Sequence, residues 1–132
     1  MYEQKHSPGR GWSEKFADAF RGLKIGVRSQ ISFFVHFFFA AAVIAAAVVL
    51  RAPLTEWAIL LLCITLVIMA EMFNTALEYL AQAITDRIDP NVGGALDIGS
   101  AAVLVAAVGS AVVGTLLLLN RFALEVGWWS GG

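Results

Sequence analysis

Charge is scarce in this chain. Asp, Glu, Lys and Arg make up 14% of its 132 residues and hydrophobic residues 59%, with a mean hydropathy of +0.77. Soluble globular domains carry about 25% charged residues, so the balance excludes an ordinary soluble domain and points to a membrane protein. Cysteine is limited to Cys63, which has no intrachain partner and reads as a small packing residue in an apolar run, silent on redox compartment. Basic residues do not dominate, the net charge being -1, which leaves no case for nucleic-acid binding. The chain has no GxxxxGK[ST], no GxGxxG and no HRD or DFG set, which excludes the common soluble nucleotide-binding folds. A cleavable signal peptide is not expected either: the first apolar run begins after about thirty polar or mixed residues, and no small-residue site closes it.

What is present are three long apolar stretches, enough for one compact helical bundle. Residues 1–12, "MYEQKHSPGRGW", read as a mobile tail ending at a possible interfacial anchor, Trp12. From Ser13, a reasonable N-cap, the residues Phe16, Phe20, Leu23 and Val27 recur at helical spacing, with Lys15, Asp18, Arg21, Lys24 and Arg28 off that stripe. The pattern predicts an amphipathic surface helix over 13–28. The spans are expected at about 31–50, 54–84 and 97–119, making this an all-α membrane protein. A single domain over 13–122 is followed by a tail at 123–132. The second helix, at 1.5 Å per residue, is roughly 46 Å long and overshoots a hydrocarbon core about 30 Å thick. Between the last two spans, "TDRIDPNVGG" reads as a polar connection broken by Pro90 and Gly93-Gly94.

Lys5, Arg10, Lys15, Arg21, Lys24, Arg28 and Arg87 fall on one side of this topology, and Arg51 and Arg121 on the other. That bias places the amino terminus in the cytoplasm and the carboxyl terminus outside, with Trp128 and Trp129 at the headgroup level. In the third span Ala106, Ser110 and Gly114 form a small-xxx-small column that permits close helix approach, within one chain or between chains.

The stretch "EMFNTALE", residues 71–78, sets acids into the second span. Glu71, Asn74 and Glu78 share a strip about 60° wide, continued by Gln82, while Phe73, Leu77 and Leu80 are expected on the back. Glu71 lies about 26 Å along the helix from Leu54, and Glu78 about 10 Å further, so the strip runs from the hydrocarbon edge into the headgroup zone. Pairing with Arg87 or solvation of a helix end accounts for Glu78 or Asp86 as well as function does. Glu71 is different: an ionisable group at that depth is costly and needs an interior partner or a function. A general base accepting a hydroxyl proton is one such function, and a carboxylate such as Glu78 suits Mg²⁺ shared with phosphates. Together they suggest chemistry between a membrane alcohol and a water-soluble phosphate donor. Asp97, at the head of "LDIGSAAVL" (96–104), is by itself best read as an N-cap. His36, inside an aromatic run, is read as a packed interior histidine outside the site.

These residues resemble the small prokaryotic diacylglycerol kinases and their relatives the undecaprenol kinases. "EMFNTALE" is similar to that family's central motif, "LDIGSAAVL" to its "KDxGSAAVL" element, and "FADAFRGLKIGVRSQISFFVH" (16–36) to its surface-helix entry. The likeness covers roughly residues 14–112. It implies a homotrimeric bundle in the bacterial inner membrane, with ATP and Mg²⁺ at the cytoplasmic interface and active sites shared between chains. It also implies Glu71 as the base toward the lipid hydroxyl, with Ser100 beside the lipid, and Glu78 as a metal ligand. Asn74, Asp97, Glu78 and Arg28 would frame the phosphates. The lipid is diacylglycerol first and undecaprenol second. Two positions depart from the pattern: Leu96 stands where the family has Lys, and Gln30 where it has a metal-binding Glu. Gln30 could still ligate Mg²⁺ through its carbonyl. These departures make a catalytically weakened paralogue the alternative. A small channel is disfavoured, because the first and third spans offer no acidic ring at matching depth.

Overall fold

The structure, a computed structural model, describes residues 11–29 and 31–128. Gln30 and Trp129, as well as Lys5 and Arg10, lie outside the described residues. Four helices follow in order: α1 (Trp12–Ser29), α2 (Ile31–Val49), α3 (Leu54–Ile84) and α4 (Pro90–Glu125). The last three are long and apolar enough to cross a membrane, as expected for an all-α membrane protein.

α1 starts one residue before Ser13, and the carbonyl of Gly11 takes the first-turn amides of Glu14 and Lys15; Ser13 is therefore not the cap. Its apolar stripe is left bare by the rest of the chain, with Trp12, Phe16 and Phe20 all exposed. Lys15 covers the Trp12 ring at 4.8 Å, a cation–π contact of the kind found where an aromatic ring meets water. The helix meets the bundle at Gly26, which is buried against Phe33 of α2 and Met72 of α3.

α3 and α4 form the tightest pair. Leu60, Val67, Glu71, Asn74 and Thr75 are the buried positions of α3, and their spacing keeps them on one side of the helix. Facing them, Gly99 and Gly114 of α4 are buried; a Cβ at Gly114 would stand 3.8 Å from Leu60 Cδ2. Ser110 donates to the carbonyl of Cys63 at 3.2 Å, so the small column at 106, 110 and 114 serves packing within the chain. Leu77 is a departure from expectation: its Cδ1 lies 3.0 Å from where a Gly99 Cβ would sit, so it packs on α4 instead of facing away.

Two turns fix the ends. After α2 the amide of Ala52 reaches back to the carbonyl of Ala47 at 3.0 Å across Arg51, whose φ is 53°; this is the Schellman arrangement, with a non-glycine in the left-handed position. Arg121 braces it from α4, its Nε donating to the Leu50 carbonyl at 3.0 Å and its Nη2 to the Arg51 carbonyl at 2.8 Å. Between α3 and α4 the connection is shorter than expected. Asp89 accepts from the amides of Asn91 and Val92 at 2.8 and 3.1 Å, and Pro90 is the first helical residue. Pro lacks the amide hydrogen that a first-turn residue leaves unpaired, so it opens a helix as readily as it breaks one. Asp89, not Asp97, is the cap; Gly93 and Gly94 lie inside α4 with no side chain near them. Nor does the helix end at 119: it runs to Glu125, into the segment expected as a tail.

Candidate active site

The site is built on the half of α3 that carries Glu71 to Glu78. Glu71 is 4% exposed and Asn74 9%, although neither could be predicted to be so closed from one helix alone. Two α2 residues account for the burial of the acid. Ser32 Oγ donates to Glu71 Oε1, and His36 Nε2 stands 3.5 Å from Glu71 Oε2. The acid thus has the interior partners that an ionisable group at this depth requires. His36 is an interior residue, as its aromatic surroundings suggested, and it is also a neighbour of the buried acid. Ser32, one helical turn earlier, had no signal of its own in the sequence. For His36 the available signal was its i+4 spacing from Ser32, which sets two polar groups on one face of an otherwise apolar helix.

One turn along α3, Asn74 Nδ2 donates to Glu78 Oε1 at 3.2 Å. The other amide atom, Asn74 Oδ1, is buried without a hydrogen-bond partner, as is Thr75 Oγ1. This crowding depends on Gly99: a Cβ there would stand 2.7 Å from Asn74 Oδ1, so only glycine lets α4 close over the amide. The other expected residues are less enclosed. Asp97 and Ser100 flank Gly99 on α4 and are exposed, as is Arg28 near the end of α1; Leu96 is half-buried. Gln82 is exposed too, so the strip opens to the surroundings beyond Glu78.

On the other side of His36 lies an apolar cleft of about 470 Å³ between α2, α3 and α4. It runs from His36 and Ile68 to Leu60 and Leu118, with Ser110 and Thr115 among its few polar groups. Along α3 that is about 12 Å at 1.5 Å per residue. A concave, mostly apolar site with a few polar groups is the usual form of a ligand pocket.

A membrane bundle with a buried acid at the head of an apolar cleft defines a class of protein that works on membrane-embedded molecules. Comparison with known proteins makes the class specific. The family model described as "Prokaryotic diacylglycerol kinase" matches residues 17–118. The undecaprenol kinase of Bacillus subtilis (strain 168) is 33% identical over 108 residues, covering 82% of this chain and 88% of its own length. The chain belongs to the prokaryotic diacylglycerol kinase family, and it is a lipid kinase, a transferase that phosphorylates an alcohol.

Proposed function

We propose that the chain transfers the γ-phosphoryl group of ATP to the hydroxyl of a membrane lipid alcohol, with Glu71 as general base. The observation that carries this reading is a carboxylate only 4% exposed, held beside a histidine that also lines an apolar cleft. A lipid chain in that cleft brings its hydroxyl to the level of Glu71. There the carboxylate takes the hydroxyl proton as the alcohol oxygen bonds to the γ-phosphorus and the bond to the β-phosphate bridging oxygen breaks, releasing ADP. Such a transfer needs chiefly positioning and charge neutralisation, which a small site can supply.

The donor set next to Glu71 fits Mg²⁺. Glu78, held by Asn74 Nδ2, offers a carboxylate, a hard ligand, and this ion is commonly held by one or two carboxylates together with substrate phosphates. When bound, Mg²⁺ neutralises charge on the phosphates. Arg28 and Lys24 of α1 are the cations available to the phosphates in place of a lysine at 96. Gln30 is a further metal ligand in this reading.

The site is completed between chains of a homotrimer. Asp97 and Ser100 are exposed, which leaves α4 of one chain able to present them to the phosphates and lipid held by its neighbour. In this reading the end bearing α1 faces the cytoplasm, where ATP is found, and the protein sits in the bacterial inner membrane, which the basic bias around α1 supports. Of the two lipids, diacylglycerol is named in the family's description and undecaprenol in the relative's. Both lipids carry the primary or allylic hydroxyl that this chemistry requires, and a panel of lipid alcohols separates them.

Transfer of labelled γ-phosphate from Mg-ATP to a panel of lipid alcohols in mixed micelles tests the reading, with Glu71→Gln as the blank. Product with one lipid, absent in the blank, supports it and names the substrate. Equal product in the blank removes Glu71 as base, and no product with any lipid overturns the activity.

A further inference from the structure

Both oxygens of Glu71 face residues of one helix, one in a hydrogen bond and the other in a longer polar contact. Ser32 Oγ donates to Oε1, and His36 Nε2 stands 3.5 Å from Oε2. Ser32 and His36 are one turn apart, so both face α3 by the ordinary geometry of α2. The turn between them contains Phe33, which is fully buried and packs against Gly26 of α1, and this locks the rotation of α2 about its axis. His36 is itself only 18% exposed in its side chain, and it both stands beside Glu71 and lines the cleft. The remaining charged side chains of the packed elements near this level are Glu78 on α3, Asp97 on α4, and Lys24 and Arg28 on α1. None of them pairs with Glu71 in the structure.

Resting on the reading of Glu71 as the base, we propose that His36 is its positioning residue: the imidazole, with Ser32, fixes the carboxylate in the orientation from which it meets a hydroxyl arriving along the cleft. A glutamate side chain has three rotatable bonds, and two α2 contacts on its two oxygens remove most of that freedom before substrate binds. Misplacing a catalytic group by about 1 Å lowers turnover by roughly a hundred-fold in other enzymes, so loss of one of two tethers lowers kcat without weakening the binding of either substrate. Nothing in this arrangement requires His36 to exchange a proton.

The experiment uses the full-length protein in mixed micelles and compares wild type with His36→Leu, His36→Gln and Glu71→Gln. In His36→Leu, kcat falls about ten-fold or more while KM for Mg-ATP and for the lipid stays within about two-fold. His36→Gln, which restores an N–H donor of similar reach, recovers most of that loss. Unchanged turnover in His36→Leu overturns the proposal, and so does a loss that glutamine leaves unrepaired and that tracks a lower unfolding midpoint. A second measurement does not depend on activity. The chain has two histidines, His6 and His36, so ¹⁵N ring resonances of the labelled protein are assigned with His36→Leu as reference. The His36 Nε2 resonance moves in Glu71→Gln; if it does not move, the contact is absent and the proposal falls while the base reading stands. An active Glu71→Gln removes the base reading itself, whatever the histidine resonance does.

Discussion

The two ends of the α3 and α4 pair treat their polar groups differently. At the end bearing Arg121, side-chain donors go chiefly to backbone carbonyls: Arg121 to Leu50 and Arg51, with one longer side-chain contact to Glu125 at 3.4 Å, and, deeper in the bundle, Ser110 to Cys63. At the end bearing Glu78, side chains bond to side chains, Ser32 to Glu71 and Asn74 to Glu78, and Asn74 Oδ1 and Thr75 Oγ1 are left without partners. Glu56 Oε2, in the first turn of α3, is the exception at the Arg121 end. A donor that satisfies an orphan carbonyl at a helix end completes the fold and has nothing left for a ligand. A buried acceptor with no partner costs stability, and proteins tolerate it chiefly where a ligand will supply the missing bond. The contrast separates brace from site without reference to any relative.

Four substitutions probe that contrast. Glu71→Gln carries the largest expected effect: turnover falls by about 10²–10⁴, the range of general-base catalysis, while thermal unfolding and ATP binding change little; label transfer and calorimetry read the two. Gly99→Val comes next. Its side chain meets Asn74 Oδ1 and Leu77, so α3 and α4 must part, at a cost on the order of 1–3 kcal/mol. Turnover should fall with stability here, and a variant of wild-type activity would show that the Asn74 seat plays no part. Arg121→Ala tests the other end: about 1–3 kcal/mol of stability is lost with the charged hydrogen bonds to the turn, seen as a lower unfolding midpoint in detergent. Its kcat at low temperature stays at the wild-type value, and a large drop would erase the distinction between the two ends. The smallest change is expected of Leu96→Lys, a KM for ATP lower by about two- to five-fold, as one partly exposed ion pair provides. An unchanged KM would mean that Arg28 or Lys24 already serves the phosphates.

Much of the architecture was legible before any tertiary contact. α3 lies where its apolar length and flanking turns put it, at Leu54–Ile84, and α1 and α2 are within a residue of expectation. α4 begins earlier than expected for a local reason. "DPNVGG" contains two strong helix breakers, but Asp89 and Pro90 together make a start signal, and once capped the helix carries Gly93 and Gly94 at a propensity cost of about 1 kcal/mol each. The site divided in the same manner. Glu71, Asn74 and Glu78 fall on one strip because residues three and seven apart on one helix must share a face. The partners of that strip were not legible, since Ser32 lies 39 residues from Glu71 and α2 is apolar on nearly every side.

The sequence by itself therefore determined the number of long apolar helices, the extent of α2 and α3 and the acidic strip on α3, because hydrophobic run length and helical periodicity are properties of a single segment. Only the tertiary structure decided that Ser32 and His36 face Glu71, that Gly99 seats Asn74, and that Arg121 closes the α2 turn. Each of these depends on how one helix is rotated and shifted against another. An almost uniformly apolar helix such as α2 carries no periodic mark of that rotation, which is set by the packing of Phe33 and Gly26 and not by composition.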